Sequence, residues 1–411
     1  MHTLKTGAIR SVLSCALVLS ASCGNDAPTP SAPNAVTGSI NAGPPSAGYV
    51  NGFFISITVC VPGGTDCQNI DGVLVDTGSI GVRVLSASAG GELSLTLPHE
   101  TDAGGDPIAE CNAFVDSYTW GSVDLADVTI GGEKARSIPI QVIGDPSFPN
   151  VPTSCSATGG PSADTLALLG ANAILGVGPI PEDCGGSCAQ SPTAAVTDNP
   201  GNVYYACPSS GCIGAAVGAS AQVQNPVSML PTDNNGVMID LSSIPAGGAA
   251  NATGTLVFGI GTQENNGLGS ATVLPIDPNT LTFTTAYSGK EYPLSLIDSG
   301  SNGLYFLDST TTNLPLCPGS QFDSYYCPSA TESLSATNLG VNGASSAVSF
   351  TVADATALFE NQYAYAFDDV GGPSSGGEYF DWGLPFFFGR KVFTSIEGAG
   401  APGGSTPYFA Y

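Results

Sequence analysis

The sequence predicts an all-β, bilobal protein, and three observations carry that prediction. Short runs of β-branched and aromatic residues alternate with Gly, Pro, Asn and Asp turns from Gly48 onward. One unit carrying an Asp-(Thr/Ser)-Gly-Ser motif occurs twice, and helical periodicity is scarce. The composition agrees: of 411 residues 42% are hydrophobic and 10% charged, with 54 Gly and 31 Pro, which argues against a disordered chain or a coiled coil.

In chain order, Met1–Cys23 comes first, with Lys5 and Arg10, an apolar stretch from Val12 to Leu19, and small residues before Cys23. This reads as a secretory signal peptide, too short to span a membrane, and its end is similar to a lipoprotein cleavage site that would put a lipid on Cys23. Residues 24–44 are rich in Pro, Ser, Ala and Asn and read as a flexible tether. Strands are expected at Phe53–Val61, Gly72–Leu85, Val123–Ile130, Ser137–Ile143, Gly254–Ile260, Thr280–Ala286 and Ala347–Val352. Asp164–Leu169 is the best helical candidate; Gly214–Ala221, Pro245–Thr253 and Gly371–Gly377 read as loops. The expected lobes are 45–230 and 231–411.

Charge and cysteine content set the compartment and exclude several chemistries. With 8 Lys and Arg against 34 Asp and Glu the net charge is −26, nearer −28 once Lys5 and Arg10 leave with the signal, so nucleic-acid binding is excluded. His99 is the only histidine after the leader, so Ser-His and Cys-His catalysis have little to draw on, and it reads as solvated. Beyond Cys15 and Cys23 there are ten cysteines: Cys60, Cys67, Cys111, Cys155, Cys184, Cys188, Cys207, Cys212, Cys317 and Cys327. In an exported chain these read as five disulfides, preferred over a zinc cluster at Cys184, Cys188, Cys207 and Cys212. No metal and no cofactor is expected, the state expected is a monomer, and a lipid is the one expected link to a membrane.

The repeat carries the chemistry. Residues 72–86 read GVLVDTGSIGVRVLS and residues 294–308 read LSLIDSGSNGLYFLD, which sets Asp76 against Asp298, Gly78 against Gly300 and Ser79 against Ser301. Thr77 becomes Ser299, which keeps the hydroxyl. Two aspartates held about 3 Å apart cannot both ionise and so share a proton. One can then deprotonate a water while the other polarises an amide carbonyl. Thr77 and Ser299 can lock the two turns together, Gly78 and Gly300 allow close approach, and Ser79 and Ser301 can bond the outer carboxylate oxygens.

On these motifs the chain resembles the pepsin-like aspartic peptidases. Gly121–Gly132 (GSVDLADVTIGG), Ala173–Gly178 (AILGVG) and Gly254–Gly259 (GTLVFG) are similar to that family's framework strands. The ending WGLPFFFGRKVF resembles a branch of exported bacterial proteins bearing the same two motifs. The resemblance implies two pseudo-symmetric β lobes with a cleft between them, Asp76 and Asp298 as the catalytic pair, and a polypeptide substrate cleaved at acid pH. A second reading keeps the fold but makes the protein a catalytically silent binding or inhibitor module.

The chain also departs from the family. The flap position holds Phe114-Val115-Asp116-Ser117, followed by Tyr118 and Trp120, so Phe114, Tyr118 and Trp120 are the expected flap residues. Arg83 replaces a usual Trp and is expected to pair with a carboxylate such as Asp116, and Asp381 occupies an expected apolar slot before Gly383. Asp233-Asn234-Asn235-Gly236 resembles the opening of a calcium loop but reads as a β-turn. The segment Gly24–Ala47 has no Lys or Arg and so cannot act as a basic prosegment.

Overall fold

The computed structural model describes residues 33–411 except 46, 159, 191–201, 320–321 and 406. The signal peptide, Cys23 and tether residues 24–32 lie outside the described residues. The strands are β1 (Ala35–Ile40), β2 (Phe53–Cys60), β3 (Cys67–Asp76), β4 (Ile80–Leu85), β5 (Ile108–Ala113), β6 (Tyr118–Ile130), β7 (Glu133–Ile143), β8 (Ala173–Val177), β9 (Asn202–Ala206), β10 (Ile213–Gly214) and β11 (Gly236–Leu241). They continue with β12 (Ala252–Phe258), β13 (Val273–Pro275), β14 (Phe283–Tyr287), β15 (Lys290–Ile297), β16 (Leu304–Phe306), β17 (Glu332–Leu339), β18 (Ser345–Val352), β19 (Gly371–Gly372), β20 (Phe380–Trp382), β21 (Lys391–Ser395) and β22 (Tyr408–Ala410). The described helices are single turns; the best helical candidate contributes Leu166–Leu169.

The internal repeat is a repeat of topology. One sheet contains the order β7-β4-β8-β3-β2, and the other contains β19-β16-β20-β15-β14. In each, the strand entering the motif runs parallel to a threaded strand, which is antiparallel to the strand leaving the motif (β3, β8, β4 and β15, β20, β16). In the first lobe β4 and β8 read as near-continuous apolar runs because both of their faces are covered: every residue of each is buried. The fold is therefore all-β with two pseudo-symmetric lobes, as expected.

The lobes are joined by a run of antiparallel strands in the order β1-β12-β11-β21-β22-β13. Here the structure corrects the tether. Residues 35–40 form β1, paired residue for residue with β12 from Ala35↔Val257 to Ile40↔Ala252, and with β2 through Ile40↔Phe53. Composition around Ala35–Ile40 is loop-like, but its backbone bonds are supplied by a strand more than two hundred residues away. Gly371–Gly372, read as loop, likewise pairs with β16. The main core runs through both lobes and the connecting strands, including Phe53, Ile239, Phe258, Trp382 and Phe387. Ser31–Tyr411 is accordingly one compact unit.

Five disulfides take up the ten cysteines: Cys60–Cys67, Cys111–Cys155, Cys184–Cys188, Cys207–Cys212 and Cys317–Cys327. Such a set belongs to an oxidising compartment. Four close loops of ten residues or fewer in separation, so they staple local turns; Cys111–Cys155, separated by 44, ties β5 to the helical turn Thr153–Ser156. Among the described residues no helix is long and apolar enough to cross a membrane.

Because β1 lies between β2 and β12, a chain starting at Tyr49 exposes two strand edges and loses the lobe connection. Compared with a chain starting at Ser31, it is expected to be insoluble or to melt at least about 10 °C lower. Equal melting temperatures by calorimetry would show that residues 31–48 are dispensable.

Candidate active site

Each motif aspartate sits at the inner end of a strand, β3 being buried from Val73 to Asp76 and β15 at Ile297, where the chain turns sharply before the next strand. The two turns face each other so closely that each carboxyl lies over the other's glycine. A β-carbon built on Gly78 would be 2.5 Å from Asp298 Cγ, and one on Gly300 would be 2.5 Å from Asp76 Oδ1. No residue but glycine fits at either place. The two carboxyls are within hydrogen-bonding reach of one another.

Four reciprocal hydrogen bonds hold the turns. Thr77 N–H donates to Ser299 Oγ (3.1 Å) and Ser299 N–H to Thr77 Oγ1 (2.9 Å). Each hydroxyl then donates across to the opposite strand, Thr77 to Ile297 O (3.1 Å) and Ser299 to Val75 O (2.8 Å). Both side chains are buried. The carboxyls are positioned in matching ways: Gly78 N–H reaches Asp76 Oδ1 and Gly300 N–H reaches Asp298 Oδ1, both at 2.8 Å. Ser79 Oγ donates to Asp76 Oδ2 (2.5 Å), and Ser301 Oγ lies 2.8 Å from Asp298 Oδ2. All eight motif residues thus come together. Burial, followed by the negative charges of Asp76 and Asp381, pushes the Asp298 carboxyl well above the ordinary carboxylate range.

Other side chains at the site carry no local motif. Tyr49 donates its hydroxyl to Gly300 O (3.3 Å), and burial, then the charges of Asp76 and Asp298, raise its pKa. Asp381 lies beside Ser301, its Oδ2 2.6 Å from Ser301 Oγ. Beyond the second motif, Tyr305 donates to Asn302 Oδ1 (2.6 Å) and lies 3.4 Å from the Tyr325 hydroxyl. Asp381 stood out in the sequence as a charge in an apolar slot. The tyrosines did not, because aromatic residues in strands are ordinarily core.

Three expectations are corrected. Tyr118 and Trp120 are not flap residues: both are buried on one face of β6 beside Cys111–Cys155, and Trp120 Nε1 donates to Phe148 O (2.9 Å). Phe114 is half-buried against Leu85 and Ile143. The β5–β6 turn leaves Val115 exposed and brings Asp116 close enough for its charge to act on Tyr49. Arg83 does not pair with Asp116. Fully buried, it bonds Glu110 (2.7 Å) and Asp183 (2.8 Å). One guanidinium cannot neutralise two carboxylates, and burial, then Glu110, pushes Asp183 well up; Tyr204 donates to its other oxygen at 2.6 Å. His99 is not merely solvated: its Nδ1 is 2.7 Å from Asp124 Oδ1. In the calcium-like stretch, the Asp233 carboxylate is taken up by Thr262 and Gln263.

The chain belongs to the family described as "Protein of unknown function (DUF3443)", whose model matches residues 30–411. Its sequence matches no curated protein. Among solved structures it is similar to the aspartic proteinase from Irpex lacteus, at 13% identity and a TM-score of 0.48, over 92% of this chain and 96% of that one.

Burial raises several carboxyls, Asp369 to about 6 and Asp381 to about 7. Their folded values exceed the unfolded ones, so between about pH 4 and 7 the folded chain binds more protons than the unfolded chain. Stability from these groups is complete at the acid end and is lost as pH rises through the window. Asp308, held low by the Thr311 N–H, acts oppositely but only below it. Melting temperature is expected to be higher near pH 5 than near pH 7.5, and a fall on acidification in calorimetry would contradict this.

Proposed function

We propose that the protein is an exported aspartic endopeptidase in which Asp76 and Asp298 activate water against a peptide carbonyl. The observation that supports this most directly is the paired turn: two carboxyls from duplicated motifs, each against the other's glycine and each bonded alike by a backbone N–H and a serine hydroxyl. A pair so close holds one proton between two carboxyls. The ionised member takes a proton from water as its oxygen adds to the carbonyl carbon, and the protonated member gives its proton to the carbonyl oxygen. Collapse of the tetrahedral adduct moves a proton to the amide nitrogen, breaks the C–N bond and leaves a carboxylic acid and an amine. No metal is needed to balance these steps.

The substrate is an extended polypeptide. Gly78 is exposed beside the pair, so the carboxyls can be reached from solvent. No zymogen cleavage is required in this reading, since Gly24–Ala47 offers no cation to the carboxyls and β1, inside that span, is part of the fold.

Hydrolysis of an unfolded protein is expected at pH 3–5 and is expected to be blocked by a statine inhibitor. Asp76→Asn and Asp298→Asn should each lower kcat/KM at least ~10³-fold with little change in melting temperature. Substantial activity in either variant overturns the pair assignment. A wild type that binds the inhibitor without cleaving any peptide would support the silent binding module instead.

Export and anchoring belong to the same reading, with the leader removed before Cys23 and a lipid on that cysteine. Gly24, in place of Asp, favours the outer membrane by resemblance to lipoprotein sorting. Cys23→Ser is expected to move the protein from the membrane fraction to the soluble one. Wild-type protein found wholly in the soluble fraction would refute the anchor.

A further inference from the structure

The two motifs are symmetric except for one carboxyl. In the first lobe the register pairs Arg83 with Ile174 across β4 and β8; in the second it pairs Tyr305 with Asp381 across β16 and β20. Asp381 therefore occupies the place of Ile174, which is 5% exposed and packs in an apolar cluster with Leu85 and Leu169. A carboxyl at this place has a consequence for the pair itself. Ser79 Oγ serves Asp76 Oδ2 (2.5 Å), whereas its counterpart Ser301 Oγ touches two carboxyls, Asp298 Oδ2 at 2.8 Å and Asp381 Oδ2 at 2.6 Å.

A serine hydroxyl has one hydrogen. It can donate to one of these oxygens, and the other contact is a hydrogen bond only if that carboxyl carries a proton. We infer that Asp381 is a positioning residue that acts on Asp298 through Ser301: its own proton is donated to Ser301 Oγ, and the Ser301 hydrogen is donated to Asp298 Oδ2. The group of three carboxyls then holds two protons, one shared by Asp76 and Asp298 and one on Asp381. The other Asp381 oxygen, Oδ1, is buried and has no hydrogen-bond partner among the described residues. A neutral carboxylic acid bears that far more easily than a carboxylate.

The groups facing Asp381 leave it no cation. They are Asp76 from the β3–β4 turn, Asp298 and Ser301 from the β15–β16 turn, Tyr305 on β16 and Tyr379 just before β20. Both tyrosines are raised, first by burial, so they stay neutral. No Lys, Arg or His among the described residues forms an ion pair with Asp381. When Asp381 loses its proton it becomes a carboxylate beside the pair, joined to Asp298 through Ser301. Its charge then opposes loss of the proton shared by Asp76 and Asp298, and the pair stays singly protonated to higher pH than it would alone.

This inference rests on the peptidase reading for its use but not for its test. Carbonyl-labelled aspartate carboxyls are titrated by carbon NMR in the full folded chain, in wild type, Asp381→Asn and Ser301→Ala. In wild type the Asp76, Asp298 and Asp381 signals are expected to titrate as a coupled set. In Asp381→Asn the upper ionisation of the remaining pair is expected to fall by about one pH unit, the scale of a coupled neighbour. Ser301→Ala should weaken the coupling between Asp381 and Asp298, and it serves as the second variant if Asp381→Asn fails to fold. The high-pH limb of kcat/KM should move by the same amount as the NMR titration. Titration of Asp76 and Asp298 that is the same in wild type and both variants overturns the inference, whatever the activity. A shifted titration in a protein without peptidase activity upholds it and refutes the peptidase reading.

Discussion

Two carboxyls cannot be held side by side unless something restrains them. At about 4 Å and an effective dielectric of 20, two full charges repel by about 4 kcal/mol. One hydrogen bond contributes a net ~1 kcal/mol, so bonds at the turns alone do not offset that repulsion if both groups ionise. Sharing a proton removes most of it, and the reciprocal Thr77–Ser299 bonds then need only fix geometry. Much else in the fold serves this arrangement. The threaded strands β8 and β20 each fill the gap between the strands entering and leaving a motif. The connecting strands keep the lobes in register so that the turns meet.

The duplicated framework is used differently in its two halves. Position 83 of the first lobe holds a buried arginine clamped by Glu110 and Asp183; its counterpart in the second lobe, Tyr305, joins a neutral network with Asn302 and Tyr325. A buried charge that loses a partner leaves an uncompensated ion, whereas a buried tyrosine needs one hydrogen-bond partner. The lobes thus share topology while their polar interiors diverge. The asymmetry reaches the site through Asp381, where the first lobe has Ile174.

A net charge of −26 spread over a Gly- and Pro-rich chain would oppose compaction at neutral pH. Five disulfides and a core continuous through both lobes counter it. Several of the few cations pair with acids: Arg83 with Glu110 and Asp183, Lys134 with Asp127, Lys391 with Asp240. In the first of these, burial makes the pairing matter; the exposed Lys391 pair contributes little.

The sequence by itself determined the all-β class, the duplication, the eight motif residues and the sufficiency of ten cysteines for five bridges. These are legible because they rest on local pattern: turn residues between apolar runs, a motif met twice in matching context, and parity. Tertiary structure decided what local pattern cannot encode, namely partners distant in the chain. Ala35–Ile40 looks like tether until β12 supplies its hydrogen bonds, and Arg83 finds Asp183 a hundred residues away instead of Asp116. Tyr118 and Trp120 follow a flap-like turn, yet strand alternation and a neighbouring disulfide turn them into core. Asp381 was visible as a misplaced charge, but only packing against Ser301 gave that charge a neighbour to act on. Hydrogen bonds and burial are properties of the pair, and the pair exists only once the chain has folded.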